Sequence, residues 1–299
     1  MSTRIGCSGW SYNDWVGPFY PANTRPDEYL KFYSRIFDTV EIDSTFYRVP
    51  STEMVNQWYG NTPAQFLFCP KLPKRITHDL HLENSMQYYN HFSKRLSALK
   101  EKLGPFVIQM PPSFKYQKHL QQLTHFLSGL DNEHRHAIEF RNDSWFNPEV
   151  EKLLRDRGIC QVWSINQYLT TPPTLTADCV YMRFVGNRTI ERFGKIQKDQ
   201  TDAMKAWSGS LLQAPESRDK FVLFNNHYAG FGPGSVNEFR RLMGLAQLDW
   251  SSLAKDSARR VCSTSRSDRN WPALSFMLIW TRFTLPSSNE TIPHFMGSH

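Results

Sequence analysis

The chain alternates between two patterns of hydrophobic and polar positions. Short runs rich in apolar, β-branched and aromatic residues predict strands, and the longer stretches between them carry apolar residues at helical spacing. The predicted strands cover residues 4–9, 39–43, 65–71, 106–110, 136–141, 160–164, 180–184 and 221–226. Because strands that alternate with helices pair in parallel, the pattern predicts an α/β fold, and the eight units favour a (β/α)8 barrel of TIM type over a doubly wound open sheet.

Capping residues mark several helix ends between these strands. Ser51 is expected to cap a short helix, and Asn147 with the proline that follows it is expected to begin another. A long amphipathic helix is predicted over residues 86–102, where a glycine and a proline then stop it. Residues 235–238 read Ser-Val-Asn-Glu, a capping-box sequence that predicts the start of the last helix, with Gly244 at its end.

The alternating pattern stops near residue 248. We therefore predict a single barrel domain over residues 1–248 and a C-terminal extension over residues 249–299 that is peripheral or poorly ordered. The extension is polar over residues 263–269 and apolar without a clear period over residues 271–283. The chain shows no internal repeat, no phosphate-binding loop and no dinucleotide-binding glycine motif.

Composition and charge narrow the class of protein. The chain has 299 residues, of which 40% are hydrophobic, and this suits a large globular core and excludes a natively disordered protein. The formal net charge of +7 permits an anionic partner, and nucleic acid is one such partner. Charge alone does not establish that partner, because a diffuse excess of this size is common in proteins.

The cysteines and the N-terminus favour a cytoplasmic location. Five cysteines are scattered along the chain without a C-x-x-C pair, which argues against structural zinc and against a disulfide framework. The first residues lack the apolar stretch of a secretory signal. The longest apolar run, residues 274–280, is too short to cross a bilayer, so we expect no membrane partner.

Two predicted strands carry charged residues among apolar ones. Within residues 40–48, Glu41 and Asp43 occupy alternate positions and would face the same side of a strand. Glu139 and Arg141 have the same spacing in the fifth strand. Further positions that alternation directs inward, near the carboxyl ends of their strands, are Gly6, Ser8, Lys71, Gln109, Tyr181, Arg183 and Asn225. In a barrel of this type the carboxyl ends of the strands build the active site.

These positions define a candidate site. Glu41 and Glu139 are candidates for a general acid and a general base, with Lys71 as a third catalytic residue. The candidate substrate-binding residues are Trp10, Tyr12, Asp43, Tyr47, His78, Gln109, Arg141, Arg183, Asn225 and Asn226. The alternative is structural, because the acids and bases of this set can also neutralise one another in a buried network.

Two open questions concern the ligand. A divalent metal held by the acids of the site would suit oxygen ligands, but the chain has no dense metal-binding motif and we do not favour a metal cofactor. Trp10, Trp15 and Tyr47 are candidates to stack a sugar or a base. The alternative for these aromatic residues is packing over the mouth of the barrel.

Several stretches together resemble the YecE-like proteins, a bacterial and archaeal family catalogued as a domain of unknown function. They are residues 6–15 (GCSGWSYNDW), 40–48 (VEIDSTFYR), 70–78 (PKLPKRITH), 109–114 (QMPPSF), 138–145 (IEFRNDSW), 181–186 (YMRFVG) and 224–226 (FNN). The resemblance covers about residues 1–248 and implies a TIM-type barrel with a shared pocket at these positions, without a settled reaction. It also leads us to expect a histidine before Gly186, where this chain has Val185.

The leading functional hypothesis is a hydrolase that uses acid and base carboxylates on a small polar or anionic substrate. Lys71, Arg141 and Arg183 would orient that substrate. One alternative is a nucleic-acid-binding protein without catalysis, based on the positive charge and the aromatic first loop. Another is an enzyme similar to the sugar-phosphate isomerases, and the fold by itself does not choose among the three.

Overall fold

The structure, a computed structural model, describes residues 2–166, 169–216 and 218–253. Within these ranges the strands are β1 Thr3–Ser8, β2 Thr39–Ile42, β3 Leu67–Pro70, β4 Phe106–Gln109, β5 His136–Glu139, β6 Cys160–Gln161, β7 Trp163–Ile165, β8 Cys179–Phe184 and β9 Asp219–Phe224. The α-helices are α1 Tyr29–Ile36, α2 Ser44–Tyr47, α3 Thr52–Gly60, α4 Met86–Leu96, α5 Tyr116–Gly129, α6 Pro148–Asp156, α7 Thr201–Gln213, α8 Asn226–Ala229 and α9 Gly232–Leu242. Shorter 3-10 turns cover Asn13–Trp15, Pro26–Glu28, Ser97–Lys102 and Asp143–Trp145, and a π-helical turn covers Arg75–Asp79.

The strands pair in parallel and in the order that a (β/α)8 arrangement requires. One sheet has the order β3-β2-β1-β9-β8-β7 and the other the order β4-β5-β6. Between β3 and β4, the amide of Leu72 donates to the carbonyl of Val107 at 2.9 Å. A single residue, Val162, separates β6 from β7, so the sixth predicted strand is present in two parts. The predicted α/β class and parallel strand order are therefore confirmed.

Alternation along the strands separates two hydrophobic clusters. Val107, Ala137 and Leu223 belong to a small cluster whose members come almost entirely from the strands. Their sequence neighbours, such as Ile138 and Val222, belong to a large cluster that also contains the buried residues of the helices. Since successive side chains of a strand point to opposite faces, the small cluster marks the side of the strands that faces away from the helices.

Two helix predictions need correction. Helix α9 begins at Gly232 with a proline in its first turn, and the Ser235 hydroxyl donates to the Phe231 carbonyl at 3.1 Å. The capping box predicted at residues 235–238 is therefore wrong, because a proline with its fixed φ already begins the helix upstream. The helix predicted over residues 86–102 ends at Leu96 and continues as a 3-10 turn.

Other capping predictions are confirmed. The Ser51 side chain accepts a hydrogen bond from the Met54 amide at 3.2 Å, and Asn147 accepts one from the Val150 amide at 3.1 Å. Each bond satisfies one of the amide groups that the first turn of a helix leaves without an intrahelical partner. Gly244 has a φ of 70° just after α9, where glycine is favoured.

The C-terminal extension lies outside the described residues from residue 254 onward, and the predicted boundary at residue 248 stays a prediction. Trp250 contacts residues that follow β1: its indole N–H donates to the Pro18 carbonyl at 3.0 Å, and its ring lies 5.4 Å from that of Phe19. The ring of Phe231 is 6.4 Å from the same indole. Trp250 therefore joins the loop after β1 to the start of α9.

We expect truncation after Leu253 to leave the domain folded, and truncation after Leu248 to lower the free energy of unfolding by about 1–3 kcal/mol, the usual contribution of a partly buried aromatic side chain. Urea unfolding of both truncations, with Trp250→Ala in the full chain as the matched control, measures the difference. Equal stability of the two truncations would contradict the role given to Trp250.

Candidate functional site

The predicted site residues collect at the carboxyl ends of the strands, but some lie just beyond them. Glu41 and Glu139 are strand residues, whereas Asp43, Lys71 and Arg141 follow the last residue of β2, β3 and β5. The prediction that Asp43 continues the alternation of the second strand is wrong. Its φ of −73° and ψ of −28° are helical and place it at the start of α2. The direction of the Asp43 carboxylate is therefore set by the backbone of the turn after β2 and not by the alternation of strand side chains.

Arg183 on β8 joins the two glutamates. One terminal nitrogen of its guanidinium lies 2.6 Å from Oε1 of Glu41, and the other donates to Oε2 of Glu139. The side chain of Arg183 is 2% exposed and those of both glutamates are 0% exposed. A guanidinium can hold two carboxylates because its five N–H donors lie in one plane. The side chains of β2 and β5 thus meet on one buried cation.

Further hydrogen bonds reach both carboxylates. Glu41 accepts from the Ser8 hydroxyl at 3.1 Å and from the Tyr181 hydroxyl at 3.0 Å. Glu139 accepts from the Ser164 hydroxyl at 2.7 Å and from Nε of Arg141 at 3.2 Å. Ser164 was not among the predicted site residues, although a serine between two large apolar residues of a buried strand was the available signal. Buried carboxylates require such donors, because water cannot reach them.

Glu139 and Arg183 keep their charges at neutral pH. Burial raises the pKa of Glu139, but the cations of Arg141 and Arg183 and the Ser164 hydroxyl more than offset this and lower the pKa to about 2. Burial lowers the pKa of Arg183, and the three acids around it raise the pKa well above its usual value. Glu139 is therefore a carboxylate at pH 7 and has no proton to donate as a general acid.

A second ion pair lies where solvent reaches the site. Nζ of Lys71 is 2.9 Å from Oδ1 of Asp43, and the two side chains are 9% and 30% exposed. The same ammonium lies 5.1 Å from the ring centre of Phe46. Burial raises the pKa of Asp43, but the charges of Lys71 and Arg183 lower the pKa below its usual value. This pair is more open to solvent than the two glutamates, which are fully buried.

His78 lies beside this pair. Its Nδ1 is 2.8 Å from the Thr77 hydroxyl, and its ring centre is 4.9 Å from that of Phe46. Burial, together with the charges of Lys71 and Arg141, lowers the pKa of His78 to about 4. The imidazole is therefore neutral at pH 7, and one of its nitrogens can accept a proton.

The aromatic candidates occupy different environments. Tyr47 is 74% exposed on α2, and the half-buried Tyr12 donates its hydroxyl to the Ser8 carbonyl at 2.8 Å. Trp10 packs edge-on against Trp58 with ring centres 5.7 Å apart. Trp15 is wholly buried, so the prediction that it stacks a ligand is wrong. Its indole instead belongs to the large hydrophobic cluster.

The predicted amide side chains also have protein partners. Gln109 accepts a hydrogen bond through Oε1 from Arg183 at 3.3 Å, and Asn225 caps α8 by accepting from the His227 amide at 3.0 Å. Asn226 is 2% exposed and accepts from the Trp15 indole at 3.3 Å. The amide groups thus hold the loops in place, and whether any of them also binds substrate stays a prediction.

The described residues contain neither a metal-binding cluster nor a membrane-spanning helix. Among the residues described, no group of three or more His, Cys, Asp and Glu side chains is arranged to hold a metal ion. Within those same ranges, none of the helices has the length and apolar character needed to span a membrane.

The described fold and site define an α/β protein of (β/α)8 order with a charged site at the carboxyl ends of its strands. A family model described as "Protein of unknown function DUF72" matches residues 4–259, so the chain belongs to that family. The prediction of a YecE-like protein is therefore confirmed.

Relatives and a solved structure agree with this assignment. The UPF0759 protein YecE of Escherichia coli K12 is 31% identical over 157 residues, which span 52% of this chain and 55% of that relative. The chain thus matches only about half the length of that relative. The UPF0759 protein YunF of Bacillus subtilis strain 168 is 24% identical over 285 residues, 84% of this chain and 96% of the relative. The crystal structure of a DUF72 family protein from Thermotoga maritima, 27% identical, superposes with a TM-score of 0.70 over 82% of this chain and 100% of the other.

Proposed function

We propose that this protein is a hydrolase that acts on a small anionic substrate at the carboxyl ends of the strands. The observation that carries the proposal is the cationic side of the mouth, where Lys71 and the 28% exposed Arg141 both act on His78. The two glutamates beneath them share the Arg183 cation, and Glu139 is also paired with Arg141. Lys71 and Arg141 would therefore attract an anion bound above this network, and no unpaired carboxylate of the network would repel it.

The roles we assign differ from a simple pair of catalytic glutamates. Lys71 and Arg141 bind the anionic group and stabilise negative charge in the transition state. His78 is the general base, because it is neutral at pH 7 and half-exposed, so that a water molecule can reach it. Glu41 and Glu139 hold Arg183 in place and exchange no protons with the substrate. The neighbouring Asp43 orients the ammonium of Lys71.

We expect Lys71→Met and His78→Gln each to lower the hydrolysis of an accepted substrate by at least about a hundredfold, the low end for loss of a catalytic acid or base. A panel of small phosphate and carboxylate esters, assayed by release of the alcohol, provides the measurement. Lys118→Met, which removes an exposed lysine of α5, is the matched control and should retain full turnover.

The pH profile gives an independent check on His78. Since a base works in its deprotonated form and the pKa of His78 is about 4, turnover should be constant near neutral pH and fall as pH drops through 4. An ester turned over equally by wild type, Lys71→Met and His78→Gln would contradict the proposal. So would a panel in which no phosphate or carboxylate ester is hydrolysed at all.

A further inference from the structure

Ring-bearing side chains follow five neighbouring strands at the mouth. In sheet order, His78 follows β3, Phe46 follows β2, Tyr12 follows β1, His227 follows β9 and Phe193 follows β8. Each of these side chains is partly exposed. Because the strands are adjacent and parallel, the loops that follow them lie side by side at one end of the sheet. The rings therefore form an arc along one side of the mouth, which we call the aromatic arc.

Contacts between the rings hold the two ends of the arc. At one end Phe46 meets the His78 ring at 4.9 Å in an edge-on arrangement. At the other end Phe193 lies 5.8 Å from the ring of Tyr12 and 5.0 Å from that of His227. The amide of Phe193 donates to the carboxylate of Asp14 at 2.7 Å, which ties the loop after β8 to the loop after β1. The arc is thus built from loops that are bonded to one another.

Asp43 lies between the two ends. It pairs with Lys71, whose ammonium lies over the ring of Phe46 at one end of the arc. Asp43 follows β2, which lies between β3 and β1 in the sheet, so it also stands beside the loop after β1 that carries Tyr12. A ligand that reaches the Asp43–Lys71 pair is therefore flanked by rings.

The opposite side of the mouth is polar and cationic. Gln109 ends β4 and Arg141 follows β5. Lys71 forms a bridge to Val107 of β4 and so lies at the junction between the two sides. The mouth therefore offers rings on one side and cations on the other. A ligand that uses both sides needs a flat apolar part and an anionic part within one small molecule.

We propose that the substrate is an aromatic or heteroaromatic compound that carries an anionic group, with its ring held by the aromatic arc and its anion held by Lys71 and Arg141. This inference rests on the proposed function, because it assigns the substrate class of the same site. Rings of the arc contact the flat part of the substrate, and they exclude water from the anion once the ring is bound.

The test compares phenyl phosphate with methyl phosphate, two probes that share the anion and differ in the ring. Calorimetric titration of wild type should show phenyl phosphate binding about tenfold more tightly, the factor expected for one ring contact. In the double variant Phe46→Leu/Phe193→Leu the ratio should fall toward one, while methyl phosphate binds as in wild type. Leucine keeps most of the apolar volume, so the double variant should fold.

Tyr59→Leu is the matched control, because this ring precedes β3 and lies at the opposite end of the strand from the mouth. It should leave the ratio at about ten, the wild-type value expected above for one ring contact. If wild type binds both probes equally, the proposal of an aromatic substrate is overturned, while the proposal that Lys71 and Arg141 bind an anion is unaffected. If Lys71→Met leaves the affinity for methyl phosphate unchanged, or if neither probe binds, the proposed function fails and this inference fails with it.

Discussion

Replacement of Arg183 with methionine is expected to lower the free energy of unfolding by at least about 3–5 kcal/mol, the usual effect of removing one partner from a buried ion pair. Arg183 is 2% exposed and is bonded to two carboxylates that are themselves fully buried. Without the guanidinium, Glu41 would retain only hydroxyl donors, from Ser8 and Tyr181. An uncompensated carboxylate would then remain in the interior, where desolvation strongly disfavours it.

A second replacement makes this prediction sharper. Glu41→Gln alone should destabilise the protein, because it leaves part of the Arg183 charge without a partner. In the Arg183→Met background the same change should restore stability, because it removes the carboxylate that had lost its cation. The sign of the effect of Glu41→Gln thus reverses between the two backgrounds, and chemical unfolding of the four proteins of the cycle measures it.

Arg155→Met is the control for this cycle. Arg155 pairs with Glu151 at 2.9 Å on the exposed face of α6, and surface pairs of this spacing contribute less than about 1 kcal/mol. If Arg183→Met were no more destabilising than Arg155→Met, or if Glu41→Gln had the same sign in both backgrounds, the buried network would not have the structural role that we give it.

Strand positions were predictable from the sequence because strand burial is a local, periodic signal. Phe221 and Leu223 face one side of β9 while Val222 and Phe224 face the other, and this alternation is visible in the chain itself. The weak sixth strand was harder, since it is broken at Val162 and each part is too short for a period to emerge. The parallel order followed from the alternation of strands and helices.

The sequence predicted some of the residues of the candidate site, but it did not predict which of them form ion pairs with one another. Charged residues at strand ends singled out Glu41, Glu139 and Arg183, and the structure brings these three side chains into contact. Both acids share one arginine because side chains from β2, β5 and β8 come together in the folded structure. The sequence pattern of a single strand does not show which other strands its side chains will contact. Phe46 was also missed, because an aromatic residue in a polar turn gives no signal of the lysine that will lie over its ring.

The solvent exposure of individual aromatic side chains could not be predicted from the sequence either. Trp15 and Tyr47 both end a short helical turn that follows a strand, yet Trp15 is wholly buried and Tyr47 is 74% exposed. The difference arises from tertiary packing: the Trp15 indole is covered by Tyr12, Phe19 and the start of α9. Similar sequence contexts thus produced opposite environments.

The Glu139→Gln variant is expected to lose about 3 kcal/mol of stability at pH 7, which follows from a pKa lowered from 4.5 to about 2 in the folded state. For a domain of this size the midpoint of thermal unfolding should fall by roughly 6–12 °C. Glutamine keeps the shape of glutamate but presents N–H donors toward Arg183 and Arg141, which are themselves donors only. Those cations would lose a charged partner in the interior.

The pH dependence of this difference has a definite sign. Because the folded-state pKa of Glu139 is below its unfolded value of 4.5, its contribution is fully present above pH 4.5 and is lost as pH falls toward 2. The stability advantage of wild type over Glu139→Gln should therefore shrink across that window, as measured by urea unfolding at several pH values. Glu151→Gln, at a partly exposed pair, should show almost no difference. A Gln variant that melts like wild type but loses turnover would show instead that Glu139 takes part in the reaction.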